Sequence, residues 1–250
     1  MSPGPQIRVG VGGWVYAPWR GVFYPPGLPQ ARELGYASRR LTTIEINGTF
    51  YGPQKPASFR RWHDETPDDF VFSLKGPRVA THRSDLAGAG PIFERFVASG
   101  IVELGDKLGP ILWQFPPNMP TDEGALAAFL ELLPHRIDGR ALRHVVEFRR
   151  SSVATAPIIE LLRRHKVAVA ADDSRPDFEI TADFIYVHLR RCADDEPDGY
   201  PADALDAWAQ RLRERSAQDA CDYFVYFISG AKIRTPAAAR ALLQRLILAS

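Results

Sequence analysis

The sequence predicts an α/β fold, a closed (β/α)8 or TIM barrel formed by residues 1–250 as a single domain. Three observations lead there. Eight short runs are apolar or alternate with a period of two, the pattern of strands. Helical patterns separate most of them, which calls for a parallel sheet. A chain of 250 residues also has the usual size for eight such repeats. A doubly wound open sheet is the competitor. However, no G-x-G-x-x-G turn follows the first strand, where "GVGGW" runs straight into Trp14.

The polar, Pro- and Gly-rich start, residues 1–6, reads as a flexible tail. Strands one to three are "IRVGVGG" (7–13), "TTIEIN" (42–47) and "FVFSLK" (70–75). A helix is expected over 91–104, opened by Pro91, with Phe93, Phe96, Val97 and Ile101 on one face. Strand four is "PILWQF" (110–115), after which Thr121 can cap "DEGALAAFLELL", whose early acids suit a helix N-terminus. Strand five, "HVVEFR" (144–149), precedes a helix over 156–165 with Pro157 near its first turn and basic residues at its end. Strand six is "VAVAAD" (167–172). The following "SRPDFEITADF" holds too little periodicity, so the helix after this strand is weak or missing. Strand seven, "FIYVHLR" (184–190), leads to a helix after Pro201 with Leu205, Trp208 and Leu212 on one face. Strand eight is "YFVYFI" (223–228), and the last helix opens at Thr235-Pro236 with Leu242, Leu243 and Leu246 to bury.

Composition narrows the function classes. Lysine and arginine number 31 against 30 acidic residues, a balance that does not favour a surface made for duplex nucleic acid. Cys192 and Cys221 lack metal-ligand spacing and read as reduced thiols. No apolar run reaches membrane-spanning length and no signal peptide is visible, so a cytoplasmic protein without a membrane partner is expected.

In such a barrel the active site lies at the carboxyl ends of the strands. Strand parity turns Glu45, Asn47, Lys75, Gln114, Glu147, Arg149, His188 and Arg190 inward, and Asp172 joins them by its terminal position. The second to seventh strands thus each deliver a polar or ionisable group to one mouth, the default mark of a functional site. Burying Glu45 is costly, and Lys75 or Arg149 is expected to offset its charge. Internal salt bridges of a barrel account for any one of these residues equally well. The aromatic residues Trp14, Tyr16, Trp19, Phe50 and Tyr51 crowd the neighbouring loops, where rings stack on ligands or plug the barrel top. Trp113 faces the helices by parity and reads as core.

Five ordered motifs, "GGWVYAPWRGVFYPPGL", "EINGTFYGPQKPASFRRW", "FVFSLKGPRVATH", "LGPILWQFPPN" and "EFRRSS", resemble the DUF72, or YecE-like, family over nearly the whole chain. The match covers Trp14, Tyr16, Trp19, Phe23 and Tyr24, then Glu45, Asn47, Thr49, Phe50, Tyr51, Lys75, Thr81 and His82. It continues through Gln114, Pro116, Pro117, Glu147, Arg149 and Asp172. The resemblance implies a TIM barrel and hands over no reaction, since the family is named for an unknown function. An endonuclease-IV-like role has been suggested for such proteins by fold comparison alone. The chain departs from the family pattern at Val11-Gly12, at Val153, and in "FISG" (Phe227 to Gly230).

The residues support three readings. In the first, Glu45, Glu147 and Asp172 carry metal-independent acid/base catalysis, most simply hydrolysis, on a small anionic or polyhydroxylated substrate. Glu147 beside Arg149 serves as base or nucleophile and Glu45 as proton donor. Trp14, Asn47, Tyr51, Lys75, His82, Gln114, Arg149, His188 and Arg190 bind the substrate. No cofactor is expected. The second reading is metal-dependent phosphoester cleavage using His82, His188, Glu45, Glu147 and Asp172, although H-x-H and H-E-x-x-H spacings are absent. His63, His135, His144 and His165 read as surface groups on helices or helix ends. The third is a non-catalytic binder of an anionic metabolite or nucleic acid, with phosphate contacts from "RSDLAG", Arg190 and Arg191.

Overall fold

The computed structural model describes residues 6–117, 122–149, 154–174 and 178–248. Residues 1–5 of the expected tail, the expected cap Thr121, and Val153 lie outside the described residues. Gln6 is not loose: its carbonyl accepts from Tyr223 N (2.8 Å) and its N–H donates to Asp222 (3.1 Å).

Eight parallel strands close into a barrel. They are β1 (Ile7–Gly12), β2 (Thr43–Ile46), β3 (Val71–Lys75), β4 (Leu108–Phe115), β5 (His144–Phe148), β6 (Ala168–Asp172), β7 (Phe184–Leu189) and β8 (Asp222–Phe227). Each pairs with the next in sequence, and β8 returns to β1 with Val9 opposite Val225. All eight expected strands form, with ends shifted by at most two residues.

The two-residue period sorts the side chains into two cores. Outward residues such as Val9, Val11, Ile44, Ile46, Phe72, Leu74, Trp113 and Phe115 join the apolar faces of the helices in one large cluster. Trp113 packs among Phe93, Phe96 and Phe129, as its parity predicts. Inward residues form a separate cluster of Val71, Leu112, Val145, Ala168, Phe184, Tyr186, Phe224 and Tyr226. That inner cluster is the floor on which the mouth stands.

The surrounding helices are α1 (Glu33–Ala37), α2 (Gly48–Tyr51), α3 (Pro56–Glu65), α4 (Arg78–Thr81), α5 (Gly90–Val97), α6 (Glu123–Glu131), α7 (Ala156–Arg164), α8 (Ala202–Asp219) and α9 (Thr235–Leu248). Three findings refine the expectation. The helix over 91–104 stops at Val97. Gly100 adopts a left-handed conformation (φ 98°), and Ile101 reaches the core from a 3-10 turn. A Cβ at Gly100 would stand 2.8 Å from Pro56, so the close approach of α3 dictates the break. Second, α3 itself has no counterpart among the expected elements. It buries only Phe59 and Trp62 among charged residues, too narrow a stripe to read. Third, Asp122 caps α6, accepting from the N–H groups of Gly124 (2.9 Å) and Ala125 (3.2 Å). Among the described residues no helix separates β6 from β7, as the weak periodicity predicts. A hairpin of Arg136–Ile137 with Arg140–Ala141 precedes β5. Both cysteines are free, and among the described residues no helix is long and apolar enough to cross a membrane.

Candidate functional site

The inward positions change character along the barrel axis. Above the apolar floor lies a layer of hydroxyls. Thr43 donates to the Val71 carbonyl (2.6 Å) and meets the Tyr226 hydroxyl at 2.8 Å. Ser73 lies 2.9 Å from both the Pro110 carbonyl and the Tyr186 hydroxyl. Each hydroxyl sits on a strand two residues before the mouth, so alternation carries the column upward.

Above this layer lies a charged bridge. The Nε2 of His188 faces Glu45 Oε2 at 2.8 Å, and its Nδ1 faces Glu147 Oε1 at 2.7 Å. The imidazole is fully buried, and the two carboxylates are exposed by only 1% and 2%. Each ring nitrogen thus has a carboxylate oxygen as its hydrogen-bond partner. Tyr186 donates to Glu45 Oε2 at 2.6 Å. Gln114 donates to Glu147 Oε2, and the Arg190 guanidinium pairs with Glu147 Oε1.

Burial pushes Glu45 up, but the attraction and hydrogen bond of His188, followed by Lys75, outweigh it. The carboxyl settles at about 2 and is ionised. The same surroundings, burial first and then Glu45, push the Tyr186 phenol well above its ordinary range. Burial lowers Lys75 and Arg190 from their ordinary values, with Glu45 opposing in both cases. An ionised Glu45 has lone pairs to accept a proton, whereas the expected donor role would need it protonated.

The other oxygen of Glu45, Oε1, points toward the end of β1. A Cβ built at Gly12 would lie 3.9 Å from it and 2.9 Å from Asn47 Nδ2. Among the described residues no group hydrogen-bonds Oε1. The bare backbone of Gly12 thus lets the Asn47 amide approach closely beside this carboxylate oxygen.

The structure gathers Glu45, Glu147, Gln114, His188 and Arg190 into one network, with Lys75 and Asn47 half-buried at its edge. The cation on Glu147 is Arg190 rather than Arg149, which is exposed. Asp172 lies in register with His188, but its Oδ1 accepts from Ser174 N (2.8 Å) at the turn after β6. His82 is half-buried, bonded to Thr81 (3.0 Å) and edge-on to Phe50 at 5.7 Å; burial lowers it from its ordinary value. Tyr51 is 81% exposed at the rim. Trp14 packs against Trp62 (5.2 Å) and Phe72 (6.3 Å), on the helix side of the wall.

His144, read from sequence as a surface group, is buried at the start of β5. It accepts from Trp113 Nε1 (3.1 Å) and faces the Pro134 carbonyl at 2.7 Å. Sequence reasoning also missed Tyr186, Tyr226, Ser73 and Thr43. Tyr186 carried a usable signal, since it shares parity with His188 and Arg190 in "FIYVHLR".

Such a site can hold an anion beside Lys75 and Arg190 and accept a proton at Glu45. As a metal centre it is poorly suited: each ring nitrogen of His188 is taken by a carboxylate, and two cations stand beside it. Among the described residues no group of three or more His, Cys, Asp or Glu is placed to hold a metal ion.

The profile of the family described as "Protein of unknown function DUF72" matches residues 8–250. A DUF72 family protein from Thermotoga maritima MSB8 superposes with a TM-score of 0.76 at 24% identity, covering 98% of this chain and 100% of that one. Another, from Enterococcus faecalis V583, gives 0.72 at 15% identity, with 98% of each chain covered. The UPF0759 protein YecE of Escherichia coli strain K12 is 29% identical over 141 residues, 56% of this chain and 49% of YecE. YunF of Bacillus subtilis strain 168 is 26% identical over 160 residues, 62% of this chain and 55% of YunF. The chain spans about half the length of the curated relatives it matches.

Proposed function

Since the chain belongs to the DUF72 family, whose description assigns no activity, its chemistry has to be read from the barrel mouth, and we propose that this mouth is a metal-independent acid/base site acting on a small anionic or polyhydroxylated substrate, most simply by hydrolysis. The observation that carries the reading is the Glu45–His188–Glu147 bridge with its unengaged oxygen beside Gly12 and the Asn47 amide. Here one oxygen of a buried carboxylate has no hydrogen-bond partner among the described residues, and it lies at the carboxyl end of β1 beside an amide.

The residues divide the work. Glu147, held by Gln114 and Arg190, fixes the orientation of His188. His188 in turn fixes Glu45 and shares its charge. An anionic substrate beside Lys75 compensates part of the positive charge that, together with His188, keeps Glu45 acidic. Binding therefore raises the basicity of Glu45 only when substrate is present. Glu45 Oε1 then takes a proton from water or a substrate hydroxyl, with the Asn47 amide orienting the attacking group. Lys75 or solvent returns a proton to the leaving group. The donor set supports this reading over phosphoester cleavage on a metal.

The test is a turnover screen of the purified protein against phosphate monoesters, sugar phosphates and lactones by NMR, with and without chelator. Glu45→Gln is expected to lower any rate found by about 100-fold or more while the protein stays folded. Full activity in Glu45→Gln, or activity abolished by chelation and restored by zinc or manganese, would overturn the proposal.

A further inference from the structure

A second recess adjoins the mouth. Phe50, Tyr51, Pro77, Val79, Ile92 and Phe96, from the loops after β2 and β3 and from α5, line a groove of about 340 Å³. That volume lies within the range of small-molecule sites. Its walls are apolar, and Tyr51 (81%) and Val79 (62%) are among the most exposed large hydrophobic side chains of the described residues. Exposed apolar groups gathered around one recess mark a binding surface.

Two observations say what the groove takes. The first is charge. Arg78 and Arg95 line it, and among the described residues neither has a carboxylate at ion-pairing distance. The second is continuity. Phe50 is shared: it walls the groove, and Lys75 Nζ lies 4.7 Å from its ring centroid. Tyr51 is edge-on to Phe50 at 5.1 Å, and Thr49 donates to the Lys75 carbonyl at 2.7 Å, tying the groove wall to the end of β3.

The geometry points to an aromatic anion as the substrate class: a flat apolar ring seated in the Phe50–Val79 groove, carrying a phosphate or carboxylate that reaches Lys75. This inference rests on the reading that the mouth receives an anion. The groove supplies affinity for the ring, the cations orient the charged end, and the bond to be broken is brought toward Glu45. Aromatic rings enter such walls edge-on or offset, as Tyr51 and His82 already do against Phe50.

Binding tests this without any assay of turnover. The dissociation constants of 1-naphthyl phosphate, inorganic phosphate and 1-naphthol are compared by titration calorimetry on the full chain. The aryl phosphate is expected to bind about 10- to 100-fold tighter than inorganic phosphate, the gain from burying a ring. Val79→Ser changes an exposed position without adding charge and should reduce that gain while leaving inorganic phosphate binding in place. Lys75→Met should weaken both anions and leave 1-naphthol unaffected.

Equal affinity for the two phosphates, or Val79→Ser without effect on the aryl ligand, overturns the inference. So does Lys75→Met leaving 1-naphthyl phosphate unchanged, since the groove would then be independent of the mouth and suited to an apolar peptide instead. Loss of the catalytic reading has a separate signature. Glu45→Gln would retain full turnover while the binding pattern above persists.

Discussion

His188 has no exposed surface and a carboxylate against each ring nitrogen, so its removal reaches further than one contact. His188→Leu would leave Glu45 and Glu147 buried with Tyr186, Gln114, Arg190 and the more distant Lys75 to compensate them. A loss of about 3–5 kcal/mol in urea unfolding is expected. Adding Glu45→Gln, which removes one of the charges, should recover part of it. A single variant as stable as the parent would show that the bridge is not the element holding the carboxylates. Gly12 makes the complementary case. Its nearest neighbour-to-be is the Asn47 amide (2.9 Å), a rotatable group, and the next is Ile228 Cγ2 at 3.4 Å. Gly12→Ala should therefore leave the unfolding midpoint nearly unchanged while lowering turnover about tenfold or more, because the added methyl displaces the Asn47 amide beside Glu45 Oε1. Equal losses in stability and activity would assign Gly12 to the scaffold instead.

At the level of elements, Gly10 does what Gly12 does not. A Cβ there would stand 1.8 Å from the Thr43 carbonyl oxygen, inside the β1–β2 pairing. Gly10→Ala is expected to destabilise by more than about 3 kcal/mol or to abolish soluble expression, because backbone cannot yield as a side chain does. Asp122→Ala, by contrast, removes one cap from α6 and should cost about 1 kcal/mol. This contrast explains what was legible in the sequence. Strands of four to eight residues with a strict period announce themselves, and parity alone turned Glu45, Gln114, Glu147 and His188 to the same side. What parity cannot give is the partner. Arg149 and Arg190 stand at equivalent strand ends, and only the three-dimensional path of the chain after β5 and β7 puts Arg190 on Glu147. Trp14 was hidden for a similar reason: a loop aromatic carries no period, and its ring turned to Trp62. His144 reads as polar, yet it fits the core because Trp113 and the Pro134 carbonyl settle both of its nitrogens.

For the whole molecule these buried groups predict how acid unfolds it. Burial holds His144 at about 4, below its ordinary 6.5, so protonation favours the unfolded chain. That contribution is complete above pH 6.5 and is lost as pH falls toward 4. Glu45, depressed from 4.5 to about 2 despite its burial, contributes above 4.5 and loses its contribution between there and 2. Urea midpoints measured from pH 7.5 to 2.5 should fall in two successive windows, and His144→Gln should flatten the upper one only. A midpoint constant down to pH 4.5 in the parent would refute the assignment of His144. The column of Thr43, Ser73, Tyr186 and Tyr226 beneath the bridge has a broader consequence. Where many barrels stack aliphatic layers, this one stacks its reagents on their own hydroxyl supports. Any drift that retunes reactivity therefore also perturbs the pillar holding the cylinder together. New specificity is easier to acquire at the rim, among Tyr51, Val79 and Arg95, than along the axis.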